Sequence, residues 1–68
     1  MVKMTLAAAR VNVGLTQKEV ALSLGVSNKT VCDWENARSY PDAVQIQKLC
    51  DLYCVHYDNI NFLPNNPL

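Results

Sequence analysis

The feature that most limits the fold of this chain is a pair of short helices with almost no chain between them. Thr16 precedes one run of helical spacing, Ser27 precedes another, and Gly25 and Val26 lie between. Each hydroxyl can accept a hydrogen bond from a backbone N–H in the first turn beyond it. Glu19, three residues after Thr16, completes a reciprocal capping box. Gly25 can take the left-handed backbone that so tight a turn requires. Ala21 is small enough to let the two helices approach closely. Two helices this short cannot bury much alone. Val20, Leu24, Val26, Val31 and Trp34 are the apolar set expected to close the pair on the rest of the domain.

The remaining segments read as more helix. Thr5 can cap a run of apolar and small residues over 6–11, ended by Gly14. The pair itself spans 17 to about 22 and 28 to about 36. Pro41 and Asp42 open a fourth helix reaching about Tyr53, and a short turn begins at His56 or Tyr57 and ends before Pro64. The tail from Asn65 to Leu68 reads as loose. No stretch alternates long enough to read as a strand. At 68 residues, half of them apolar, the chain is expected to form one all-α domain of four to five helices over 1–68.

Several function classes are disfavoured by composition. No apolar run approaches the roughly 20 residues needed to cross a bilayer. The start Met1-Val2-Lys3-Met4 lacks the continuous apolar core of a signal peptide, so a cytoplasmic location is expected. Cys32, Cys50 and Cys54 are odd in number and read as reduced thiols. Cys50, Cys54 and His56 do not have the spacing of a zinc module and lack a fourth ligand, so no metal is expected and no cofactor is implied. Cys50, between Leu49 and Leu52, reads as core. No nucleophile stands with its base, and there is no phosphate-binding loop, so the chain is not expected to be an enzyme.

Net charge is zero, whereas nucleic-acid binders are usually basic. The charge is unevenly spread, however. Lys3, Arg10, Lys18, Lys29 and Arg38 outnumber Glu19, Asp33 and Glu35 in the first 40 residues, while acids outnumber Lys48 in the rest. On the third helix, Thr30, Val31 and Trp34 share one face at about 100° per residue. Asn28, Lys29, Cys32 and Asp33 lie on the other. Such a polar face can be a solvated surface or a reading head.

Taken jointly, Thr16-Gln17, Ala21, Leu24-Gly25-Val26-Ser27, Val31, Trp34-Glu35-Asn36 and Tyr40-Pro41 resemble the phage Cro and repressor type of helix-turn-helix DNA-binding domain. The resemblance covers residues 4 to about 63, with the motif at 17–35 and the recognition helix at 27–35. It implies that Asn28, Lys29, Cys32 and Asp33 face base edges in the major groove. Asn28 can pair with adenine and Lys29 with guanine. Asp33 can accept from cytosine, and Cys32 can touch a thymine methyl. Gln17, Lys18, Ser27, Asn36 and Arg38 would meet the phosphate backbone. Arg10 and Glu35 would form a structural ion pair, buried or half-buried.

The chain departs from that family's pattern in three places. Ala37 stands where glycine is usual, so the loop is either strained or reshaped. Cys54 replaces the usual glycine at the end of the fourth helix. The recognition helix carries an acid and no arginine. Lys18, Lys29 and Arg38 supply few phosphate contacts, so nonspecific affinity is expected to be low and the salt dependence of a monomer shallow.

The resemblance implies a sequence-specific transcriptional regulator that reads a palindromic double-stranded DNA operator as a homodimer. Of the apolar C-terminal residues Tyr53, Tyr57, Ile60, Phe62 and Leu63, some must cover the core and the remainder are candidates for the dimer interface. The alternative is a protein-binding module of antirepressor or antitoxin type, which keeps the fold and docks a phage repressor or another protein.

Overall fold

The structure is a computed structural model and describes residues 3–62. Four α-helices carry it: α1 (Leu6–Asn12), α2 (Gln17–Leu24), α3 (Asn28–Glu35) and α4 (Ala43–Tyr53). A single 3-10 turn follows at Tyr57–Asn59. The tail at 64–68 lies outside the described residues.

Each helix begins at a side-chain cap. The hydroxyls of Thr5, Thr16 and Ser27 and the carboxylate of Asp42 accept from the backbone N–H of Ala8, Glu19, Thr30 and Gln45. Capping boxes close at Thr16 with Glu19 and at Asp42 with Gln45. Both boxes satisfy first-turn donors that would otherwise need water. The backbone and hydroxyl of Thr16, hydrogen-bonded to the Glu19 carboxylate, hold it below the usual carboxylate range.

The four helices also end alike. After each last turn one residue turns left-handed, and the next N–H reaches back to a carbonyl of that turn: Leu15 to Arg10, Val26 to Ala21, Arg38 to Asp33 and Val55 to Cys50. This is the Schellman closure. The left-handed residues are Gly14, Gly25, Ala37 and Cys54, the last two at φ 58° and 57°. Ala37 and Cys54 therefore hold the backbone that glycine takes more easily, so the loop after α3 is strained and not reshaped.

The core consists of Leu6, Ala9, Val20, Ala21, Val31, Trp34, Leu49, Tyr53 and Ile60. Leu24 and Val26 pack against it from the rim. Ala9 and Ala21 are buried where α1 and α2 approach their neighbours, so the small side chains have a packing reason.

Two expectations need correction. The domain is not wholly helical: Met4–Thr5 (β1) pairs in parallel with Ile60–Asn61 (β2), in the register Met4 to Ile60 and Thr5 to Asn61. Two-residue strands are too short to leave an alternation in the sequence. The fifth helix shrinks to the 3-10 turn because the chain must straighten at Ile60 to make this pairing. Cys50 is not core either. It is half-buried on the flank of α4, while Leu49 and Tyr53 point inward. Its partial burial, together with the neighbouring Asp51 carboxylate, pushes its thiol above the ordinary value.

Candidate nucleic-acid interface

The helix α3 is anchored by one stripe and presents another. Val31 and Trp34 are buried, which fixes its roll against α2 and the core. Asn28 and Lys29 are consequently exposed, and Cys32 and Asp33 are half-covered. Lys18 is exposed on the first turn of α2, and Arg38 is exposed in the loop beyond α3. Exposed cations thus lie on α2, on α3 and in the loop that follows it.

Beneath this face lies a polar bracket that joins three helices. Arg10 of α1 donates from Nε to Glu35 Oε2 at 2.6 Å and from Nη2 to Oε1 at 3.3 Å, a two-pronged pairing with the last residue of α3. Its Nη1 also donates to the Leu15 carbonyl at 2.8 Å. Gln17, the first residue of α2, donates from Nε2 to Glu35 Oε1 at 2.9 Å. The arginine and glutamate side chains are only 16% and 6% exposed, so water screens the pair poorly. The hydrogen bond to Glu35 raises the Arg10 pKa against the opposing effect of burial. The bracket ties the starts of the α1–α2 turn and of α2 to the end of α3, and so sets the angle at which α3 is presented.

Several side chains on the candidate face already have partners within the chain. Ser27 Oγ accepts from the Thr30 N–H and shares a hydrogen bond with the Thr30 hydroxyl at 2.9 Å. Asn36 turns its amide nitrogen back onto α3, to the Cys32 carbonyl at 2.8 Å and the Cys32 sulfur at 3.4 Å. Lys29 Nζ lies 2.8 Å from Asp33 Oδ2, and Arg38 Nη1 lies 3.8 Å from Asp33 Oδ1. The Gln17 amide donates to Glu35, a contact that sequence reasoning missed. Only the presence of Gln17 and Glu35 at the two ends of the motif could have hinted at it.

A second, apolar surface is formed by the loop before α4, α4 itself and the C-terminal segment. Tyr40, Val44 and Tyr57 are large exposed apolar residues. Tyr40, Pro41, Ile46, Tyr57 and Phe62 line a shallow apolar hollow, in which the rings of Tyr57 and Phe62 stand 5.6 Å apart. Of the C-terminal apolar residues, Tyr53 and Ile60 are core, Tyr57 is exposed and Phe62 is half-buried. Leu63 lies outside the described residues. The contribution of Tyr40 and Ile46 to this surface was not legible in the sequence.

Among the described residues, no group of three or more His, Cys, Asp or Glu side chains is placed to hold a metal ion. No helix among them is long and apolar enough to cross a membrane. In comparisons with known proteins, a family model described as helix-turn-helix matches residues 6–58, which include all four helices. No curated protein and no solved structure gives a significant match.

Proposed function

The chain belongs to the Xre/Cro-like helix-turn-helix family, whose model spans most of its length, and from that premise we propose that it is a sequence-specific transcriptional regulator of the phage Cro or repressor type. It acts in the cytoplasm and lays α3 in the major groove of operator DNA. The observation that carries the reading is the roll of α3. Val31 and Trp34 are buried, so Asn28 and Lys29 stand clear of the body of the domain.

In this reading Asn28, Lys29, Cys32 and Asp33 face base edges, and each well-formed base contact is worth about 1–3 kcal/mol of discrimination. Gln17, Lys18, Ser27, Asn36 and Arg38 meet the phosphates. Gln17 keeps one amide hydrogen for the DNA while the other holds Glu35. Asn36 must turn away from Cys32 to donate outward. The apolar hollow of Tyr40, Ile46, Tyr57 and Phe62 supports a homodimer on a palindromic operator, with recognition helices about 34 Å apart. Dimerisation doubles an interface that is modest in one copy.

Fluorescence anisotropy against the DNA upstream of the gene tests this reading. Operator DNA is expected to bind more tightly than scrambled DNA at roughly 0.15 M salt. Asn28→Ala and Lys29→Ala should weaken operator binding with the fold intact, whereas Arg38→Ala should weaken all sequences about equally. Equal binding of operator and scrambled DNA by the unaltered protein would sink it.

Two observations favour a second reading. The exposed apolar surface and the zero net charge suit a protein-binding module of antirepressor or antitoxin type. A pull-down with a neighbouring repressor or toxin separates the two. Operator binding without any protein partner removes this alternative.

A further inference from the structure

We infer that Asp33 restrains DNA binding: it holds Lys29 and Arg38 in internal ion pairs, lowers the attraction to DNA of any sequence, and so makes affinity depend more on base contacts. The inference rests on the reading of α3 as the DNA-facing helix. To the base-facing position of Asp33 it adds a role through the neighbouring cations.

The geometry singles this residue out. Lys29 and Arg38 are 83% and 71% exposed along their side chains, yet both aim at the same carboxylate, which is only 17% exposed. The Arg38 backbone N–H also donates to the Asp33 carbonyl at 2.9 Å, so the loop is held against Asp33 by its main chain as well. A carboxylate bridging two cations must release one of them before it accepts from a base.

Asp33 has little reason to be there for the sake of the helix. It stands in the last turn of α3, at the negative end of the helix dipole, where a negative charge is unfavourable. The order within the Lys29–Asp33 pair, base before acid, is the weaker of the two orders for a pair four residues apart. The helix dipole opposes Asp33 and the pair with Lys29 gives little back, so the stability of α3 accounts poorly for its place. Its effect falls instead on the charge presented outward. With Asp33 ionised, the two exposed cations nearest the reading face add only a single net positive charge to it.

DNA binding by the full chain tests this through its salt dependence. Anisotropy titrations with random-sequence duplex DNA over a salt series give the slope of log affinity against log salt. This slope changes by about 0.9 for each phosphate newly neutralised. Asp33→Asn is expected to tighten random-sequence binding and to steepen the slope by about 0.9 to 1.8. Asp33→Ser should do the same, and circular dichroism checks that both variants are folded. In a Lys29→Gln/Arg38→Gln background, Asp33→Asn should leave the slope unchanged, because nothing remains to be released. Asp51→Asn, which alters an exposed acid on α4, should not change it either.

An unchanged slope in both Asp33 variants, with the unaltered protein binding DNA, overturns the restraint and leaves the DNA reading standing. An equal effect of Asp51→Asn, or persistence of the effect without Lys29 and Arg38, overturns it in favour of a general charge effect. Absence of binding by every variant even at low salt overturns the DNA reading and the restraint together.

Discussion

The bracket of Arg10, Glu35 and Gln17 makes a demanding prediction about stability. Replacing Glu35 by Leu removes the acceptor for two arginine donors and for the Gln17 amide, and leaves Arg10 only the Leu15 carbonyl. With so little of either side chain exposed, the remaining guanidinium charge stays largely desolvated. Breaking one side of such a pair costs about 3–5 kcal/mol. A domain of this size has roughly 3–10 kcal/mol of total stability. The single change should therefore lower the melting temperature by roughly 12 °C or more, at about 4–8 °C per kcal/mol, and can unfold the domain outright. Arg10→Met should cost a comparable amount. The double variant Arg10→Met/Glu35→Leu should be markedly more stable than the sum of the two losses implies, because it leaves no unpaired charge behind. Thermal and urea unfolding followed by circular dichroism measure all three variants. A loss below about 1 kcal/mol in either single variant would show the pair behaving like a solvent-screened surface bridge, and the account of the bracket would be wrong.

Two further predictions concern the rest of the fold. Burial pushes the Tyr53 phenol up to about 12, reinforced by the Glu35 charge and opposed by Arg10. The matching stability is fully present below the ordinary tyrosine value near 10 and is lost as pH rises through about 12. In denaturant titrations across that window Tyr53→Phe should lose less stability than the unaltered chain, and parallel losses would refute the burial argument. Ala37→Gly and Cys54→Gly should each stabilise the domain. Relief of left-handed strain is worth about 1–2 kcal/mol, and the extra freedom of glycine in the unfolded chain takes back about 0.4–1 kcal/mol. Destabilisation by both would mean that side-chain contacts outweigh the strain.

Most of the helical framework was legible because its punctuation is local. Thr5, Thr16, Ser27 and Asp42 mark helix starts through hydrogen bonds made within three residues, and Gly14 and Gly25 mark ends through backbone freedom. The two faces of α3 follow from helical periodicity alone. What remained hidden depends on tertiary context. The residue types of Ala37 and Cys54 carry no sign of a left-handed backbone; only the family resemblance flagged the two positions, and the Schellman closures show which outcome holds. The β1–β2 pairing joins residues from opposite ends of the fold. The flank position of Cys50 was missed because a cysteine between two leucines has the composition of a core. On the candidate interface, residue types were readable but partnerships were not. The sequence names Lys29, Asp33 and Arg38, and only the structure shows that they are engaged with one another.

The parallel pairing of β1 with β2 also bears on how the domain would resist mechanical load. Met4 is opposite Ile60 and Thr5 opposite Asn61, so the chain enters the pair at one end and leaves it at the other. A pull applied through both flanking segments runs along the strands, and the inter-strand bonds are sheared together instead of unzipped one after another. The element that looks least substantial in the fold is thereby the one that takes tension first, ahead of the helices that carry the candidate interface.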